Sequence, residues 1–431
     1  LLSLKPPQIF ALLLRTCLMN NISLTVKNGL CMGCGVCKDA CPKHCIKIQH
    51  GVHNRPYIDV KECINCGKCL KVCAGNGIDI KAKSQQLFYT PSICSNTYIG
   101  DYLKCFKGYS TDEEIRYHCA SGGCVSTLLI FLLQKGLIDG AVVTGFQHDD
   151  VMRPNVYIAR SKEDILKGKS SKYCVVSMDG IATDIKKNKG KYVIVGLPCH
   201  IQSFRKLADI DKTFRESVIG YFAIYCSANK NMLSQEYMRW RYGINPDELT
   251  SFAYRDEGCL GSMIYRYKNR VKKIDFLDYY CGVRAFFNES RCNVCTDFYG
   301  ELADISFGDL NTGDDTDDPI GINSLVVRSE FWLSILESCS KEGNLYLCTI
   351  DEKTMIDAQS YCTKYKKGKG FFATWNLRKL FGLKNPQYDN LVYVKPDLKS
   401  YINAIAKIVM YTIGKHRSLW CIIKLKKKNK K

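Results

Sequence analysis

Eight cysteines between residues 31 and 73 form two runs that share one spacing, C-x2-C-x2-C-x3-C. The first run consists of Cys31, Cys34, Cys37 and Cys41, and the second consists of Cys63, Cys66, Cys69 and Cys73. Three thiolates on one tight loop can bind three irons of a 4Fe–4S cluster, but the fourth iron needs a ligand from elsewhere. The doubled run therefore predicts two clusters in one small module.

The spacing is typical of bacterial two-cluster ferredoxins, in which the fourth cysteine of each run ligates the other cluster. We therefore expect crossed ligation, with one cluster bound by Cys31, Cys34, Cys37 and Cys73 and the other by Cys63, Cys66, Cys69 and Cys41. The alternatives are zinc sites, which take separated pairs of ligands, and a disulfide framework, which needs an oxidising compartment. The 25 cysteines among 431 residues instead fit metal binding in a reducing cytoplasm.

A formal net charge of +20 would suggest a nucleic-acid partner. Against this, anionic clusters offset part of the charge, eight of the basic residues follow Gly414, and no nucleic-acid-binding motif accompanies them. We therefore predict no nucleic-acid partner. Apolar residues at helical spacing over 401–413, followed by the basic tail, fit either peripheral contact with the inner face of a membrane or a packed helix with a solvated tail.

The chain divides into five regions in this interpretation. Residues 1–18 are a flexible or non-native extension before Met19, and residues 24–82 are the ferredoxin module, closed by a strand at 78–80. Residues 83–117 are a linker, residues 118–350 form the main domain, and residues 351–431 are helical with a basic loop at 361–370 and a basic tail. The expected fold class is α+β or α/β, with a mixed α/β domain after the module.

The segment that begins at Ser121-Gly122-Gly123 predicts a buried helix over 125–135, capped by Ser121 and ended by Gly136. A buried strand over 140–145 follows. The start of such a helix presents free backbone N–H groups and binds phosphate well, although a tight turn explains the Ser-Gly-Gly sequence equally simply.

A second unit reads as a strand over 191–195, a helix over 199–207 and a strand over 217–225. Such a unit is a right-handed parallel crossover, so Cys199 and Cys226 should both follow carboxyl ends of strands at one sheet edge. With the pair Cys292 and Cys295, they predict a third 4Fe–4S cluster. The alternative is that Cys199 and Cys226 are buried apolar thiols and that the C-x2-C pair is incidental.

Several short stretches together resemble the beta-subunit family of coenzyme F420 hydrogenases and dehydrogenases. They are ASGG at 120–123, SKY at 171–173, GLPCHIQSFRK at 196–206, FAYRD at 252–256, CNVC at 292–295 and ADISFGDL at 303–310. The resemblance implies an iron–sulfur flavoprotein with bound FAD. Such a protein transfers electrons between its clusters and a hydride carrier, often a deazaflavin such as coenzyme F420.

The resemblance also implies roles for particular residues. Ser121, Gly122 and Gly123 would bind the FAD phosphates, and Lys172 and Tyr173 would lie near the flavin. The four cysteines of the third cluster match family positions. Asp304 and Asp309 either orient backbone or cofactor, or cap a turn. The chain departs from the family pattern where His200 replaces a usual glutamine and where Cys226 is followed by serine and alanine.

His200 is a candidate proton donor to the reduced flavin, although a lone histidine at a strand end is more often structural. Three functions remain open at this stage. The first is an FAD-dependent oxidoreductase that exchanges electrons with a redox partner protein or a small carrier, in the cytoplasm or at the inner membrane face. The second is an electron-relay subunit of a larger complex, and the third is a zinc-binding scaffold.

Overall fold

The computed structural model describes residues 19–310, 318–389 and 391–423. Its strands are β1 (Ile46–Gln49), β2 (Arg55–Ile58), β3 (Cys94–Asn96), β4 (Gly100–Tyr102), β5 (Lys104–Ser110), β6 (Gly140–Phe146), β7 (Pro154–Ala159), β8 (Tyr192–Gly196), β9 (Val218–Ile224), β10 (Leu249–Asp256), β11 (Ser262–Tyr267), β12 (Val271–Asp275), β13 (Ile305–Asp309), β14 (Asn323–Val327) and β15 (Leu345–Thr349). The predicted extension at residues 1–18 and most of the basic tail, residues 424–431, lie outside the described residues.

The helices alternate with these strands along the chain. They are α1 (Ser23–Lys27), α2 (Val36–Asp39), α3 (Lys68–Lys71), α4 (Ile80–Phe88), α5 (Glu113–His118), α6 (Cys124–Gln134), α7 (Lys162–Lys167), α8 (Ile181–Lys187), α9 (Pro198–Ile210), α10 (Lys212–Ser217), α11 (Leu233–Tyr242), α12 (Phe276–Phe287), α13 (Glu330–Lys341), α14 (Glu352–Ala358), α15 (Ser360–Lys366), α16 (Lys369–Leu380) and α17 (Leu398–Lys415). Short 3-10 turns occur at Ala74–Asn76, Pro246–Glu248, Ser290–Val294 and Arg417–Ile422.

The N-terminal module repeats one local structure in its two cysteine runs. Each run turns into a one-turn helix, α2 or α3, behind a glycine in the left-handed region, Gly35 at φ 79° and Gly67 at φ 73°. Glycine is the residue that adopts this conformation without steric cost. The hairpin of β1 and β2 separates the runs. The strand predicted at 78–80 is wrong: Asp79 instead caps α4, because its carboxylate accepts a hydrogen bond from the N–H of Ala82.

The main domain is built on an eight-stranded mixed sheet with the order β15-β5-β14-β13-β9-β8-β6-β7. Its centre is parallel, since β8 pairs with β6 and β9, and β9 pairs with β13. The outer pairs are antiparallel. The predicted crossover through β8, α9 and β9 is confirmed, and its two strands are direct neighbours. The interpretation of residues 83–117 as a linker is wrong, because β5 is an interior strand of this sheet.

Alternate residues of the central strands face two different hydrophobic cores. On one face, Val142 and Ile194 join a core that also contains Cys37, Cys41 and Ala74 of the N-terminal module. On the other face, neighbouring residues of the same strands pack against α6 and α13. The N-terminal module therefore shares a core with one face of the sheet, and this shared core fixes the cysteine runs against α9.

A second, three-stranded antiparallel sheet of β10, β11 and β12 packs with α11 and α12 in a separate core. The helices predicted at 125–135 and 401–413 are present as α6 and α17. The basic loop predicted at 361–370 is wrong, since α15 and α16 occupy it. Helix α17 exposes Ile402, Ile405 and Val409, each at least half exposed. In the described part of the chain, no helix is long and apolar enough to cross a membrane.

Candidate functional site

The first thiol set, called site 1, consists of Cys31, Cys34, Cys37 and Cys73, and all four are buried. Burial, together with the neighbouring thiol of Cys73, raises the pKa of Cys34 to about 12. Burial and then the thiols of Cys34, Cys73 and Cys31 raise the pKa of Cys37 well above its usual value. Cys73 of the second run therefore lies among the thiols of the first, in the arrangement that crossed ligation requires.

The second set, called site 2, lines one cavity together with Asn20, Asn21 and the apolar side chains of Ile46 and Ile58. Its thiols are Cys41, Cys63, Cys66 and Cys69. A fifth thiol, Cys45, lines the same cavity with its sulfur 3.4 Å from that of Cys41. Among the described residues, no group of three or more His, Cys, Asp or Glu is arranged to hold a single metal ion.

The third set, called site 3, consists of Cys199, Cys226, Cys292 and Cys295, each of them half-buried. Cys199 lies in the first turn of α9, directly after β8, and Cys226 follows the neighbouring strand β9. Burial raises the pKa of Cys199 well above its usual value, and the thiols of Cys226, Cys34, Cys295 and Cys292 add to the shift. The structure thus brings together four cysteines from three distant segments and places Cys34 of site 1 beside them, and their role as cluster ligands stays a prediction.

Two buried cations lie against site 3. The Nζ atom of Lys366 lies 3.4 Å from Cys295 Sγ and donates to the carbonyl of Asp297 at 2.7 Å. Arg291, which precedes Cys292, donates to the carbonyls of Val294 and Ala74. Both side chains are only 2% exposed. A buried cation is costly unless negative charge accompanies it, so the surroundings of site 3 suit anionic sulfur ligands.

The thiols also shift the pKa of Lys366. Burial by itself would lower this pKa, but the sulfurs of Cys295, Cys226 and Cys292 raise it above the usual value of a lysine. The ammonium group therefore stays protonated at neutral pH and faces the thiols as a positive charge.

Helix α9 joins site 3 to site 1. Cys199 lies in its first turn, and one turn later Ser203 Oγ lies 3.6 Å from Cys34 Sγ and accepts a hydrogen bond from the N–H of Ala74. Another turn along, Lys206 donates to the carbonyls of Cys73 and Gly77. One helix therefore holds a predicted ligand of site 3 and contacts the backbone that carries the predicted ligands of site 1.

The predicted phosphate-binding turn is packed against the sheet. Gly123, with φ 78°, is the N-cap of α6, so the expected capping role of Ser121 is wrong. The N–H of Cys124, at the start of the helix, donates to Asn323 Oδ1 at 3.0 Å. A Cβ on Gly122 would lie 3.0 Å from both Asn323 N and Gly108 O, so this glycine allows close packing. With one helix amide already used and the glycine in contact with backbone, these residues as placed do not fit an FAD phosphate.

The other residues predicted to lie near the flavin form a network. The Asp309 carboxylate accepts hydrogen bonds from Ser121 Oγ and from Arg255 Nη1, and Arg255 also donates to the Tyr173 hydroxyl at 3.4 Å. Burial alone would lower the pKa of Arg255, but the Asp309 charge raises it. The network therefore gives Asp309 a positioning role rather than that of a turn cap.

Aromatic rings lead from this network toward site 3. The ring of Tyr173 lies 5.3 Å from that of Tyr280, whose hydroxyl is hydrogen-bonded to Ser227 Oγ, next to Cys226. The side chains of Tyr280 and Ser227 thus connect Tyr173 to the residue beside Cys226, a predicted ligand of site 3.

Lys172 and His200 have hydrogen-bond partners within the protein. The Lys172 ammonium donates to the carbonyls of Gly168, Lys169 and Ser170, and burial lowers its pKa to about 7. His200, 2% exposed, accepts a hydrogen bond from the N–H of Leu197 at its Nδ1 atom. Burial lowers the pKa of His200 to about 4, so the ring is neutral at pH 7 and caps the start of α9.

Sequence reasoning missed four residues, three that contact the thiol sites and one that contacts Asp309. Cys45 stands four positions after a predicted ligand, and Arg291 adjoins one, so proximity in the chain was an available signal. Lys366 belongs to a segment interpreted as a loop. Arg255 lies in the FAYRD stretch, where an arginine between buried positions of a strand is a signal for a buried ion pair.

Three features together define an iron–sulfur oxidoreductase subunit: thiols at the sheet edge, a two-cluster module and a mixed sheet with a parallel centre. Comparison with known families gives the particular class. Residues 105–181 and 189–353 match the N-terminal and C-terminal models of the coenzyme F420 hydrogenase/dehydrogenase beta subunit, and residues 24–97 match a 4Fe–4S dicluster domain. The two beta-subunit matches cover more than half of the chain, which belongs to this family of oxidoreductases.

Individual relatives extend the comparison. The chain is 25% identical over 322 residues to the coenzyme F420-dependent sulfite reductase of Methanocaldococcus jannaschii, a match that covers 71% of this chain and 45% of that protein. It is 27% identical over 279 residues to the coenzyme F420 hydrogenase subunit beta of Methanococcus voltae, covering 63% of this chain and 93% of the relative. This chain thus spans less than half of the sulfite reductase and nearly all of the hydrogenase subunit.

A solved structure shares the fold. It is a chain in a xenon-derivatised F420-reducing NiFe hydrogenase complex from Methanosarcina barkeri. The TM-score is 0.53 at 20% sequence identity, and the match covers 69% of this chain and 100% of that chain.

Proposed function

We propose that the protein transfers electrons between the two clusters of its N-terminal module and a hydride carrier, through a third 4Fe–4S cluster at site 3 and a bound FAD. The observation that carries this proposal is the contact along α9, where Ser203 meets Cys34 of site 1 one turn after Cys199 of site 3. Neighbouring clusters allow single electrons to move from one site to the next.

Site 3 as a cluster site is supported by its charge balance. Lys366 and Arg291 are buried beside it, and a cluster bound by four thiolates is a negatively charged group that would compensate them. The ligands in this proposal are Cys199, Cys226, Cys292 and Cys295. The same four positions as neutral apolar thiols would leave the two cations without that compensation.

A bound FAD would supply the chemistry that couples single electrons from the clusters to the transfer of electron pairs as hydride. We place its flavin ring beside Tyr173 and Lys172, because Tyr173 lies within an aromatic group that reaches Ser227, next to site 3. Phosphate binding at Ser121, Gly122 and Gly123 would require Asn323 to release the amide of Cys124. Asp309 holds Arg255 beside this loop, and the charge of Arg255 would attract the phosphates.

The hydride carrier in this proposal is coenzyme F420 or another small molecule of the same chemistry, as the names of the relatives suggest. Those names equally favour a second role. A relative is named as a hydrogenase subunit, so this chain would relay electrons to a redox partner protein that holds the substrate. Both roles place the protein in a reducing, cytoplasmic compartment. Peripheral membrane contact would involve the exposed apolar side of α17.

The test uses the full chain purified without oxygen. Flavin released by denaturation is identified by chromatography, and FAD is expected in near-stoichiometric amount. Reduced coenzyme F420 is then mixed with the protein, and samples frozen at intervals are examined by electron paramagnetic resonance. Signals from reduced clusters are expected in the wild type. In Cys199→Ala, flavin reduction should continue while the reduction of sites 1 and 2 slows at least tenfold.

Cys94→Ala removes an exposed thiol outside the three sites and is the matched control, expected to behave as the wild type. Absence of flavin from protein that retains its iron would contradict the FAD proposal. Cluster reduction by a partner protein, but not by reduced coenzyme F420, would favour the relay role. Cluster reduction at the wild-type rate in Cys199→Ala would remove site 3 from the path.

A further inference from the structure

Site 2 contains one thiol more than a 4Fe–4S cluster needs. Its cavity is lined by Cys41, Cys63, Cys66 and Cys69 and also by Cys45. Cys45 is only 7% exposed, and its sulfur lies 3.4 Å from that of Cys41, in van der Waals contact. Two thiols therefore occupy the corner of the cavity where the crossed pattern provides one ligand.

The two thiols are held by different parts of the backbone. Cys41 follows α2, and its N–H donates to the carbonyl of Lys38. Cys45 directly precedes β1, and its carbonyl accepts a hydrogen bond from the N–H of Asp59, beyond β2. The turn between them, through Pro42, Lys43 and His44, brings two independently anchored sulfurs to one point.

Site 1 lacks this duplication. The residue four positions after Cys73, in the equivalent place of the second run, is Gly77. A Cβ on Gly77 would lie 1.9 Å from the carbonyl oxygen of Gln387, so the backbone of the C-terminal region excludes any side chain there. The two halves of the module are thus built differently at corresponding positions, and only the first carries a second thiol there.

We propose that Cys45 is a second ligand for the site 2 cluster, interchangeable with Cys41. In the exchange, the bond between iron and the Cys41 sulfur breaks, and a bond between the same iron and the Cys45 sulfur forms. The proton of the Cys45 thiol moves to the released Cys41 thiolate, 3.4 Å away. No electron is transferred, so the step needs neither oxidant nor reductant.

This arrangement would keep the cluster intact when one ligand is lost. Site 2 is the more exposed of the two module sites, since Cys66 is exposed and Cys63 half-buried, whereas all four thiols of site 1 are buried. Exposed clusters meet oxidants and competing thiols first. A spare ligand at the exposed site is therefore placed where loss of a ligand is most frequent.

The test compares Cys41→Ala, Cys45→Ala and the double variant in the full chain, purified without oxygen. Iron and acid-labile sulfide per chain are measured, together with the electron paramagnetic resonance signals of the reduced protein. Each single variant should retain the wild-type iron content, and the double variant should lose four irons. Cys73→Ala is the matched control: with Gly77 at the spare position, it should lose four irons as a single variant.

Serine variants at the same positions preserve side-chain volume and separate ligand loss from misfolding, which circular dichroism monitors. Loss of four irons from Cys41→Ala alone would overturn the proposal, because Cys45 would then fail as a ligand. Full iron content in the double variant would also overturn it, since neither thiol would be needed. The outcome is independent of the third cluster and FAD, because it concerns site 2 alone.

Discussion

The cysteines of the N-terminal module and those of site 3 are brought together in different ways by the chain. In the module, all ligands lie within 43 residues of chain, and glycines such as Gly35 and Gly67 let short loops turn around the clusters. At site 3, the proposed ligands come from the ends of two adjacent parallel strands and from a segment almost seventy residues further on. The first arrangement is local, and the second depends on the whole sheet.

The surroundings differ as well. Site 2 opens to solvent at Cys66, so water can compensate the charge of its cluster. At site 3, two buried cations, Lys366 and Arg291, lie beside the thiols where site 2 has solvent. The proposed cluster at site 3 would therefore depend on charges that the tertiary structure also buries.

Lys366→Met should have the largest effect on stability. It removes the buried positive charge 3.4 Å from Cys295 Sγ, and loss of one partner of a buried charge pair costs about 3–5 kcal/mol. The free energy of unfolding of the cluster-loaded protein should fall by that amount in anaerobic denaturation. Lys364→Met, at an exposed position of the same helix, is the matched control. Equal stability of the two variants would show that site 3 carries no negative charge.

Stability should also fall in acid because of His200. Its pKa is about 4 in the folded protein, below the ordinary value of about 6.5, so the unfolded chain binds the proton more readily. This contribution is complete above pH 6.5 and is lost as the pH falls toward 4, by roughly 3 kcal/mol. His200→Gln should flatten this part of the stability profile, whereas His148→Gln, at an exposed position, should leave it unchanged.

The same variant tests the proposed proton transfer. If His200 only caps α9, His200→Gln should retain most of the electron transfer from reduced coenzyme F420. Loss of activity in a variant that keeps its iron and its fold would restore His200 as the proton donor to the reduced flavin.

Ser203→Ala should have a smaller effect, at the contact between the two kinds of site. The variant leaves the N–H of Ala74 without its acceptor, which costs about 1–2 kcal/mol, and removes the hydroxyl beside Cys34 Sγ. Hydrogen bonds to ligand sulfurs raise the reduction potential, so the potential of site 1 should fall in a redox titration. Ser334→Ala, at an exposed position of α13, is the control. An unchanged potential would contradict a hydrogen bond from Ser203 to the ligand sulfur.

Tyr173→Phe should have the smallest effect on stability. Its hydroxyl accepts a long hydrogen bond of 3.4 Å from Arg255, so its removal should cost less than about 1 kcal/mol. If the flavin lies beside this ring, the flavin potential should shift while the cluster potentials stay constant. A flavin potential equal to that of the wild type would place the flavin elsewhere.

The sequence predicted the elements whose patterns are local. The doubled cysteine run and the crossover around Cys199 can be predicted from the sequence because spacing and hydrophobic periodicity determine them. Prediction from the sequence failed for β5, a strand of mixed polar and apolar residues in the interior of the sheet. It also failed for residues 361–370, where basic residues suggested a loop. Lys366 could not be assigned, because its partners are a thiol and a carbonyl about seventy residues away in the chain.

The proposed electron path depends most on the presence of a cluster at site 3. The most direct measurement is the iron and acid-labile sulfide content per chain of the wild type and of Cys292→Ala, purified and reconstituted together without oxygen. The account predicts that the variant contains four iron and four sulfide fewer per chain, with the signals of sites 1 and 2 retained. Equal iron and sulfide contents in the two proteins would contradict it.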